Sequence, residues 1–455
     1  VISAYFADSY GVIIDKDMLI NAAETNVAEA MGLLSWRALI YFAALFAVPV
    51  FFLYKIEIAP QTAVKRILYH LGLALFALVA ILVTFLASSA FSASFFREQK
   101  QIRVYSSPLS ALYATYQIAN RTFFNGTQVF TKIGEDAVIY PPADDRELII
   151  LVVGETARSD RFSLNGYGRD TNPLLSKESI VSFTNVASCG TSTALSVPCM
   201  FSIEGKEKFD ISKAKYKENL LDVIAKTGAS ILWRDNNSSS KGVADRFAYE
   251  DFTTPKNNPV CDPECRDIGM LKGLDEYISK QKKGDIVIVL HQMGSHGPSY
   301  HERVPEAFQK FKPVCKTNQL DKCSKEEINN AYDNTILYTD YFLSEVIKFL
   351  KKYDDRFETS MFYVSDHGES LGESGVYLHG MPYALSSKAV TNVPLVLWFG
   401  KELIRTQNLD MDLLKRHRNK PISHDEVFHT ILGVLEIETG IYKKEKDLQS
   451  LGIKK

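Results

Sequence analysis

Two long uncharged runs dominate the hydrophobic pattern near the start of the chain. The first covers residues 38–54, and the second covers residues 67–96, where His70 is the only side chain able to carry a charge near neutral pH. About 20 apolar residues cross a bilayer core as a helix, so the second run is long enough with tilt and the first is near the lower limit. The pattern predicts two membrane spans; the alternative is a pair of buried helices in a soluble core.

Charged residues around these runs indicate their orientation. The loop between them carries Lys55, Lys65 and Arg66 against Glu57, so we expect it on the cytoplasmic side. Residues 8–35 hold five acidic residues against one lysine and are expected to form an outer loop. The chain opens on Val-Ile-Ser-Ala-Tyr-Phe, which is typical of the end of an apolar segment. We therefore expect further membrane helices before it, and an N-terminally incomplete membrane domain over residues 1–96.

A second domain follows a connector, residues 97–140. From residue 141 to 455 short apolar runs alternate with helical ones such as residues 326–352. Continuous apolar runs with helices between them predict an α/β fold, a doubly wound and mainly parallel sheet covered on both faces. The predicted strands are residues 147–153, 229–233, 285–290, 359–365 and 393–399.

Four of these strands run directly into polar residues. Because the carboxyl ends of parallel strands meet at one crevice, we expect these residues to converge there. Carboxylates with imidazoles favour zinc with an open coordination position. Taken singly, each is also typical of a helix cap or a surface pair. The converging residues are Glu155, His296, Asp366 and His367, with glycines at 154, 294, 297 and 368 expected to let backbone approach an ion or phosphate.

A candidate nucleophile lies in the segment 189–199, where four hydroxyl side chains fall between two cysteines. If Thr193 begins a helix, its oxygen and a phosphoryl group would both benefit from the positive helix end. Zinc would lower the pKa of such a hydroxyl. Ser/Thr-rich loops are common, so the pattern alone favours an ordinary loop over a catalytic one.

Composition and cysteines narrow the setting. The chain is 46% hydrophobic and 23% charged, with a net charge of −2, so nothing favours nucleic acid as a partner. Six cysteines permit 15 connectivities, and local pairing would suit an oxidising compartment. A zinc half-site at Cys261 and Cys265 is the alternative. The close pairs are Cys189 with Cys199, Cys261 with Cys265, and Cys315 with Cys323.

Five motifs together resemble the bacterial lipid A phosphoethanolamine transferases, a family that includes the mobile polymyxin-resistance enzymes. They read GETARSDRFSLNGYGRDTNP, SCGTSTALSVPCMF, WRDNNSSSKG, HQMGSHGP and SDHGESLGESGVYLHGMPYA. The resemblance extends over essentially the whole chain from residue 10. It implies an alkaline-phosphatase/sulfatase-like fold for residues 141–455, with the three close cysteine pairs as its disulfides.

The resemblance also implies roles for individual residues. Zinc would be held by Glu155, the nucleophile Thr193, Asp366 and His367. His296 and His379 would bind the phosphoryl group, where the family can also hold a second zinc, and Asn237 and Lys241 would line the same pocket. Asn21, Thr25 and Glu29, spaced as one stripe of a helix, would hold the donor headgroup; a solvated helix face is the alternative there.

The implied function is a ping-pong transfer of phosphoethanolamine from phosphatidylethanolamine to a phosphate of lipid A. Diacylglycerol would leave, and the product would resist cationic peptides such as polymyxin. The expected place is the Gram-negative inner membrane, as a multi-pass monomer with the catalytic domain in the periplasm. The alternatives are transfer of phosphoglycerol, transfer to a core sugar or another envelope glycan, and a membrane-anchored scaffold without activity.

Overall fold

The computed structural model describes residues 1–24, 33, 35–57, 62–88, 109–124, 129–139, 146–262 and 264–454. The helices are α1 Ile2–Tyr10, α2 Lys16–Glu24, α3 Trp36–Phe42, α4 Val48–Lys55, α5 Ala63–Ala87, α6 Leu109–Phe124, α7 Thr193–Met200, α8 Gly205–Lys208, α9 Ile211–Ala214, α10 Leu220–Ala225, α11 Leu274–Lys280, α12 Lys325–Leu350, α13 Lys388–Thr391, α14 Lys401–Thr406, α15 Met411–Arg416 and α16 Asp425–Val434. The strands are β1 Val138–Ile139, β2 Glu147–Gly154, β3 Ile180–Ala187, β4 Ser230–Asp235, β5 Ala248–Asp251, β6 Ile286–His291, β7 Glu358–Ser365, β8 Ser370–Leu371, β9 Tyr377–Leu378, β10 Asn392–Phe399, β11 Ile422–Ser423 and β12 Ile437–Glu438.

Both predicted spans are helices long and apolar enough to cross a membrane, Trp36–Lys55 and Ala63–Ala87. The first joins α3 to α4 through a π-helical turn, Ala43–Ala47. Pro49 follows that turn, and its missing N–H explains why regular α-helical bonding is interrupted there. Neither helix is buried against the rest of the described chain, so the soluble-core alternative is wrong. The second helix begins four residues before the predicted run, and residues 89–96 lie outside the described part.

The main sheet has eight strands in the order β11-β3-β10-β7-β2-β6-β4-β5. Strand β10 is antiparallel to both neighbours, β3 and β7, while the other pairs are parallel. The prediction of a mainly parallel sheet is confirmed, and the sheet is mixed because of β10. Strands β3, β5 and β11 were absent from the predicted set, because β3 mixes polar with apolar residues and the other two are short edge strands.

Two cores lie on opposite faces of this sheet, and β2 contributes to both. Ile149, Leu151 and Val153 pack on one face with Phe428 of α16. The alternating residues of β2 pack on the other face with Tyr332 of α12. Since successive strand residues point to opposite faces, a continuously apolar strand is what a sheet covered on both sides requires.

The N-terminal part of the chain is attached to the larger domain by apolar packing and by an ion pair. Tyr5, Tyr10 and Val12 form a small core that includes Tyr377 and Leu378 of β9. Arg37, at the start of α3, pairs with Asp8 and with Asp321 of the larger domain, each at 2.9 Å. The membrane helices and the sheet domain therefore meet along one surface.

A buried carboxyl pair at the opposite, amino-terminal ends of the strands makes stability depend on pH. Glu147 is 2% exposed, and its backbone N–H donates to Asp285 at 3.1 Å. Burial, and then hydrogen bonding to Asp285, raises the pKa of Glu147 from 4.5 to about 10. The folded chain thus binds a proton that the unfolded chain releases. The protonated Glu147 side chain therefore contributes fully to the free energy of unfolding below pH 4.5. That contribution decreases above pH 4.5 and is lost as pH rises through about 10.

We expect Glu147→Gln to flatten the fall of the melting temperature between pH 4.5 and 10, because the amide cannot ionise. Thermal unfolding of the detergent-solubilised protein across this range measures the effect. Glu207→Gln, at an exposed position, is the matched control and should follow the wild type. Parallel curves for wild type and Glu147→Gln would contradict the assignment.

Candidate active site

Three neighbouring parallel strands deliver the central side chains to one edge of the sheet. Gly154 of β2 pairs with Ser365 of β7, and Val153 pairs with His291 of β6. Glu155 follows β2, while Asp366 and His367 follow β7. The convergence predicted from the strand ends is confirmed.

Glu155 is the centre of this cluster. Its Oε2 accepts hydrogen bonds from the Thr193 hydroxyl at 3.1 Å and from Asn237 Nδ2 at 2.8 Å. Its other oxygen, Oε1, accepts from the Thr156 hydroxyl and lies 3.6 Å from His367 Nε2. Glu155 thus joins the predicted nucleophile, one predicted pocket residue and one predicted ligand.

His367 has its tautomer set by the backbone. Its Nδ1–H donates to the Gly368 carbonyl at 2.9 Å, so Nε2 presents a lone pair to the cluster. Nε2 lies 3.3 Å from Asp366 Oδ2 and 3.4 Å from Thr193 Oγ1. Burial, followed by the neighbouring His379, lowers the pKa of His367 to about 3, which keeps the ring neutral as a metal ligand must be.

Asp366 has one oxygen left over. Oδ1 accepts from the backbone N–H groups of His367 at 2.7 Å and Thr156 at 3.1 Å. Oδ2 is buried and has no hydrogen-bond partner among the described residues. Burial, and then the Glu155 charge, raises the pKa of Asp366 well above its usual range. A second buried carboxylate at this point is therefore unfavourable unless a cation lies beside it.

The residues present fit a zinc ion. Ligand atoms of Glu155, Asp366 and His367 lie within 4.8 Å of one another, and all three side chains are buried. The Thr193 hydroxyl adjoins two of them. Two carboxylates, one neutral imidazole and one hydroxyl form a donor set that zinc accepts in protein sites.

Thr193 is the first residue of α7, as its proposed role requires. The preceding loop is held by the Cys189–Cys199 disulfide and by Ser196, whose hydroxyl accepts from the Gly190 N–H at 2.9 Å. Backbone N–H groups at this helix start favour negative charge near the hydroxyl.

A buried histidine that the sequence reasoning missed ties this loop to β7. His424 Nδ1 accepts from the Cys189 N–H at 3.0 Å, and its Nε2–H donates to the Ser365 carbonyl at 2.9 Å. Burial lowers the pKa of His424 to about 4, so the ring remains neutral and keeps both bonds. No local pattern near His424 points to a contact 235 residues away.

Thr156 was also missed. Its φ of 59° is unusual for a β-branched residue, and this geometry aims both its N–H and its hydroxyl at the carboxylates of the cluster. Backbone strain of this kind gathers at functional sites.

A second group of possible ligands joins the first at Glu155. Ligand atoms of Glu155, His296 and His379 also lie within 4.8 Å of one another. The His379 ring lies 4.2 Å from that of His367, and Glu369 contacts its Nδ1 at 3.2 Å. Burial by itself lowers the pKa of His379, but the carboxylates of Glu369, Glu155 and Asp366 together outweigh it and raise the value to about 9. The carboxylates around His379 therefore favour its protonated form at neutral pH.

Asn237 and Lys241 follow β4. Asn237 contacts Glu155 directly, and its amide also donates to the Gln292 carbonyl at 2.8 Å. Lys241 is half-buried and donates to the Ser238 carbonyl at 3.4 Å. Its contact with a phosphate stays a prediction.

Two of the glycines expected to let backbone approach a ligand instead allow two segments of the protein backbone to pack closely together. A Cβ at Gly294, which has φ +50°, would lie 2.8 Å from the Glu155 carbonyl oxygen. A Cβ at Gly368 would lie 2.0 Å from the Ala389 carbonyl oxygen. These contacts place chain segments close behind Glu155 and the Asp366–His367 pair.

A cavity of about 670 Å³ opens beside this group. It is lined mainly by apolar residues of the first 42 positions, together with His296, His379 and Asn21. Asn21 is the one member of the predicted headgroup stripe within the described residues, since Thr25 and Glu29 lie outside them.

All six cysteines form the three local disulfides, Cys189–Cys199, Cys261–Cys265 and Cys315–Cys323. The zinc half-site at Cys261 and Cys265 is therefore wrong, because a disulfide leaves no thiolate to bind the metal.

Comparisons with known proteins agree along the whole chain. Residues 1–123 match the family model of phosphoethanolamine transferase EptA/EptB, and residues 147–437 match that of the sulfatases. Phosphatidylethanolamine transferase Mcr-1 of Escherichia coli is 41% identical over 96% of this chain and 81% of its own. Phosphoethanolamine transferase EptA of Escherichia coli K12 is 39% identical over 98% and 82%.

One solved structure extends this agreement to both parts of the molecule. The integral membrane lipooligosaccharide phosphoethanolamine transferase A of Neisseria meningitidis superposes with a TM-score of 0.93 at 36% identity, covering 100% of this chain and 85% of that one. The chain therefore belongs to the EptA family of phosphoethanolamine transferases, with an alkaline-phosphatase/sulfatase-like domain.

Proposed function

We propose that this protein transfers phosphoethanolamine from phosphatidylethanolamine to a phosphate of lipid A through a covalent intermediate on Thr193. The observation that carries the proposal is the Thr193 hydroxyl, which lies at a helix start between Glu155 and His367. The names of its relatives, which include a phosphatidylethanolamine transferase, support the group transferred.

In the first half-reaction Thr193 Oγ attacks the donor phosphorus and gives its proton toward Glu155 Oε2, 3.1 Å away. The phosphorus–oxygen bond to diacylglycerol breaks, and the protonated His379 supplies the proton that this alkoxide needs. In the second half a lipid A phosphate oxygen attacks the same phosphorus, the phosphorus–oxygen bond to Thr193 breaks, and Thr193 takes back the proton that Glu155 received. His379 regains its proton from the acceptor phosphate or from solvent, which completes the cycle. Asn237 holds Glu155 in place during both steps.

Glu155, Thr193, Asp366 and His367 would hold zinc. When bound, zinc supplies Lewis-acid chemistry that lowers the pKa of a hydroxyl and polarises a phosphoryl oxygen. His296 and His379 are proposed to bind the phosphoryl group or a second zinc, and Lys241 to neutralise one phosphate oxygen.

The cavity suits the donor lipid. Its apolar lining would accept acyl chains, and the lining also includes His296 and His379 of the active site. Asn21 would contact the headgroup, and Thr25 with Glu29 remain the predicted partners of its ammonium. Three disulfides support placing the sheet domain in the oxidising periplasm, and the two exposed apolar helices support a multi-pass inner-membrane protein. We propose that the protein acts as a monomer.

Thr193→Ala should abolish the covalent phosphoethanolamine adduct and lower turnover by roughly 10⁴-fold or more, because the attacking oxygen is gone. Intact-protein mass spectrometry after incubation with phosphatidylethanolamine vesicles detects the adduct. Thr430→Val is the control for folding, because Thr430 is buried and its hydroxyl accepts from the Leu448 N–H at 3.0 Å. An adduct that persists in Thr193→Ala would show that Thr193 is not the nucleophile.

Purified wild type should contain about one tightly held zinc per chain, and Asp366→Asn should contain almost none, because the orphaned carboxylate oxygen is lost. Inductively coupled plasma mass spectrometry measures the content. Asp160→Asn, whose side chain is largely exposed, should keep the metal. Equal zinc in both variants contradicts the ligand set.

Lipid A from Gram-negative cells that express the protein should gain phosphoethanolamine, and cells that express Thr193→Ala should not, because transfer depends on that hydroxyl. Mass spectrometry of extracted lipid A measures this gain. Phosphoglycerol in its place, or modification confined to core sugar, would contradict the proposed donor or acceptor.

A further inference from the structure

His379 is carried by a small hairpin that projects from the sheet domain. Strand β8, Ser370–Leu371, pairs with β9, Tyr377–Leu378, and His379 follows directly. Leu378 has φ 65° and Gly380 has φ 84°, so the backbone turns sharply on both sides of His379. The place of this imidazole beside His367 is therefore decided by the contacts that hold the hairpin.

Thr191 holds the hairpin from the sheet domain. Its hydroxyl donates to the Met381 carbonyl at 2.7 Å, and its own carbonyl accepts from the Gly380 N–H at 2.7 Å. Thr191 is 5% exposed and lies two residues before Thr193. These two bonds tie the nucleophile loop to the segment that follows His379.

Residues 10–18, called the N-terminal segment below, contact the hairpin from the other side. The backbone at Gly11 lies so close to the hairpin tip that a Cβ there would be 2.9 Å from the Gly375 carbonyl oxygen. A Cβ at Gly380 would likewise be 2.8 Å from the Met18 sulfur. Tyr10 and Val12 belong to the small core that packs against β9.

The helix that overlaps the end of this segment also packs against the helix that begins at Thr193. Helix α2, Lys16–Glu24, packs beside α7, which begins at Thr193. Residues 10–24 therefore contact both elements that must be aligned for transfer, α7 and the hairpin.

We propose that the N-terminal segment, residues 10–18, positions His379 relative to Thr193, with Thr191 as the second fixed support. The inference rests on the proposed function, since it concerns the alignment of those two groups. Gly11 and Thr191 are positioning residues that act through the hairpin. Because a misplacement of about 1 Å can lower a rate by about 100-fold, small shifts of the hairpin should be visible in kinetics.

The test uses Gly11→Ala in the whole protein, in phosphatidylethanolamine vesicles. The new Cβ must push the hairpin tip away, and the rate of adduct formation at saturating donor should fall about tenfold or more. Gly166→Ala is the matched control, because Gly166 also has a left-handed φ, +99°, but its Cβ would meet nothing within 4 Å. Gly166→Ala should keep the wild-type rate, and all variants should keep their zinc.

A second pair of variants covers the case in which Gly11→Ala folds poorly. Thr191→Val removes the hydroxyl bond to Met381 at nearly constant volume and should slow adduct formation without weakening donor binding. Thr191→Ser restores the hydroxyl and should restore the rate. Thr430→Val shows what loss of a buried hydroxyl does to the melting temperature alone.

Hydrogen exchange of the peptide covering residues 370–381 reports the position of the hairpin without any activity. Exchange should rise in Gly11→Ala and Thr191→Val and stay at the wild-type level in Gly166→Ala. Unchanged exchange together with unchanged adduct rates in both variants overturns the inference. A wild type that forms no adduct refutes the proposed function instead, and the exchange data still decide whether the segment positions the hairpin.

Discussion

Two buried carboxylates, Glu155 and Asp366, stand next to each other where strands β2 and β7 end. Placing two negative charges in a dry site is unfavourable unless hydrogen bonds and a cation compensate them. Thr156, Asn237 and Thr193 donate to Glu155, and two backbone N–H groups donate to Asp366, yet one Asp366 oxygen remains without a donor among the described residues. A zinc ion would neutralise the negative charge that remains on Asp366. These hydrogen bonds hold both carboxylates in place beside such an ion.

Thr193, the proposed nucleophile, depends on this arrangement through contacts distant in sequence. Its loop is closed by the Cys189–Cys199 disulfide, tied to β7 through His424 and tied to the His379 hairpin through Thr191. Each bond joins the loop to an element that carries another functional group. The position of Thr193 is therefore coupled to the proposed zinc ligands on one side and to the His379 hairpin on the other.

The membrane part and the sheet domain together form the place where the donor would enter. The cavity is lined mainly by apolar residues of the N-terminal part and also by two histidines of the sheet domain. Arg37, paired with Asp8 and Asp321, fixes the two parts across their junction, and such partly exposed ion pairs contribute orientation more than stability. This lining supports the proposal that a lipid donor presents its phosphate to the polar centre.

Local sequence determined the elements that depend on local physics. Long uncharged runs specified the two apolar helices, and continuously apolar runs specified the central strands β2, β4, β6, β7 and β10, since burial on both faces selects such residues. Strand ends located Glu155, His296 and the Asp366–His367 pair, while the family motifs singled out Thr193 and His379. Only the tertiary structure decided that β10 runs antiparallel and that His424, Thr156 and Thr191 align the site. These are contacts between segments far apart in the chain, whose geometry no local pattern encodes.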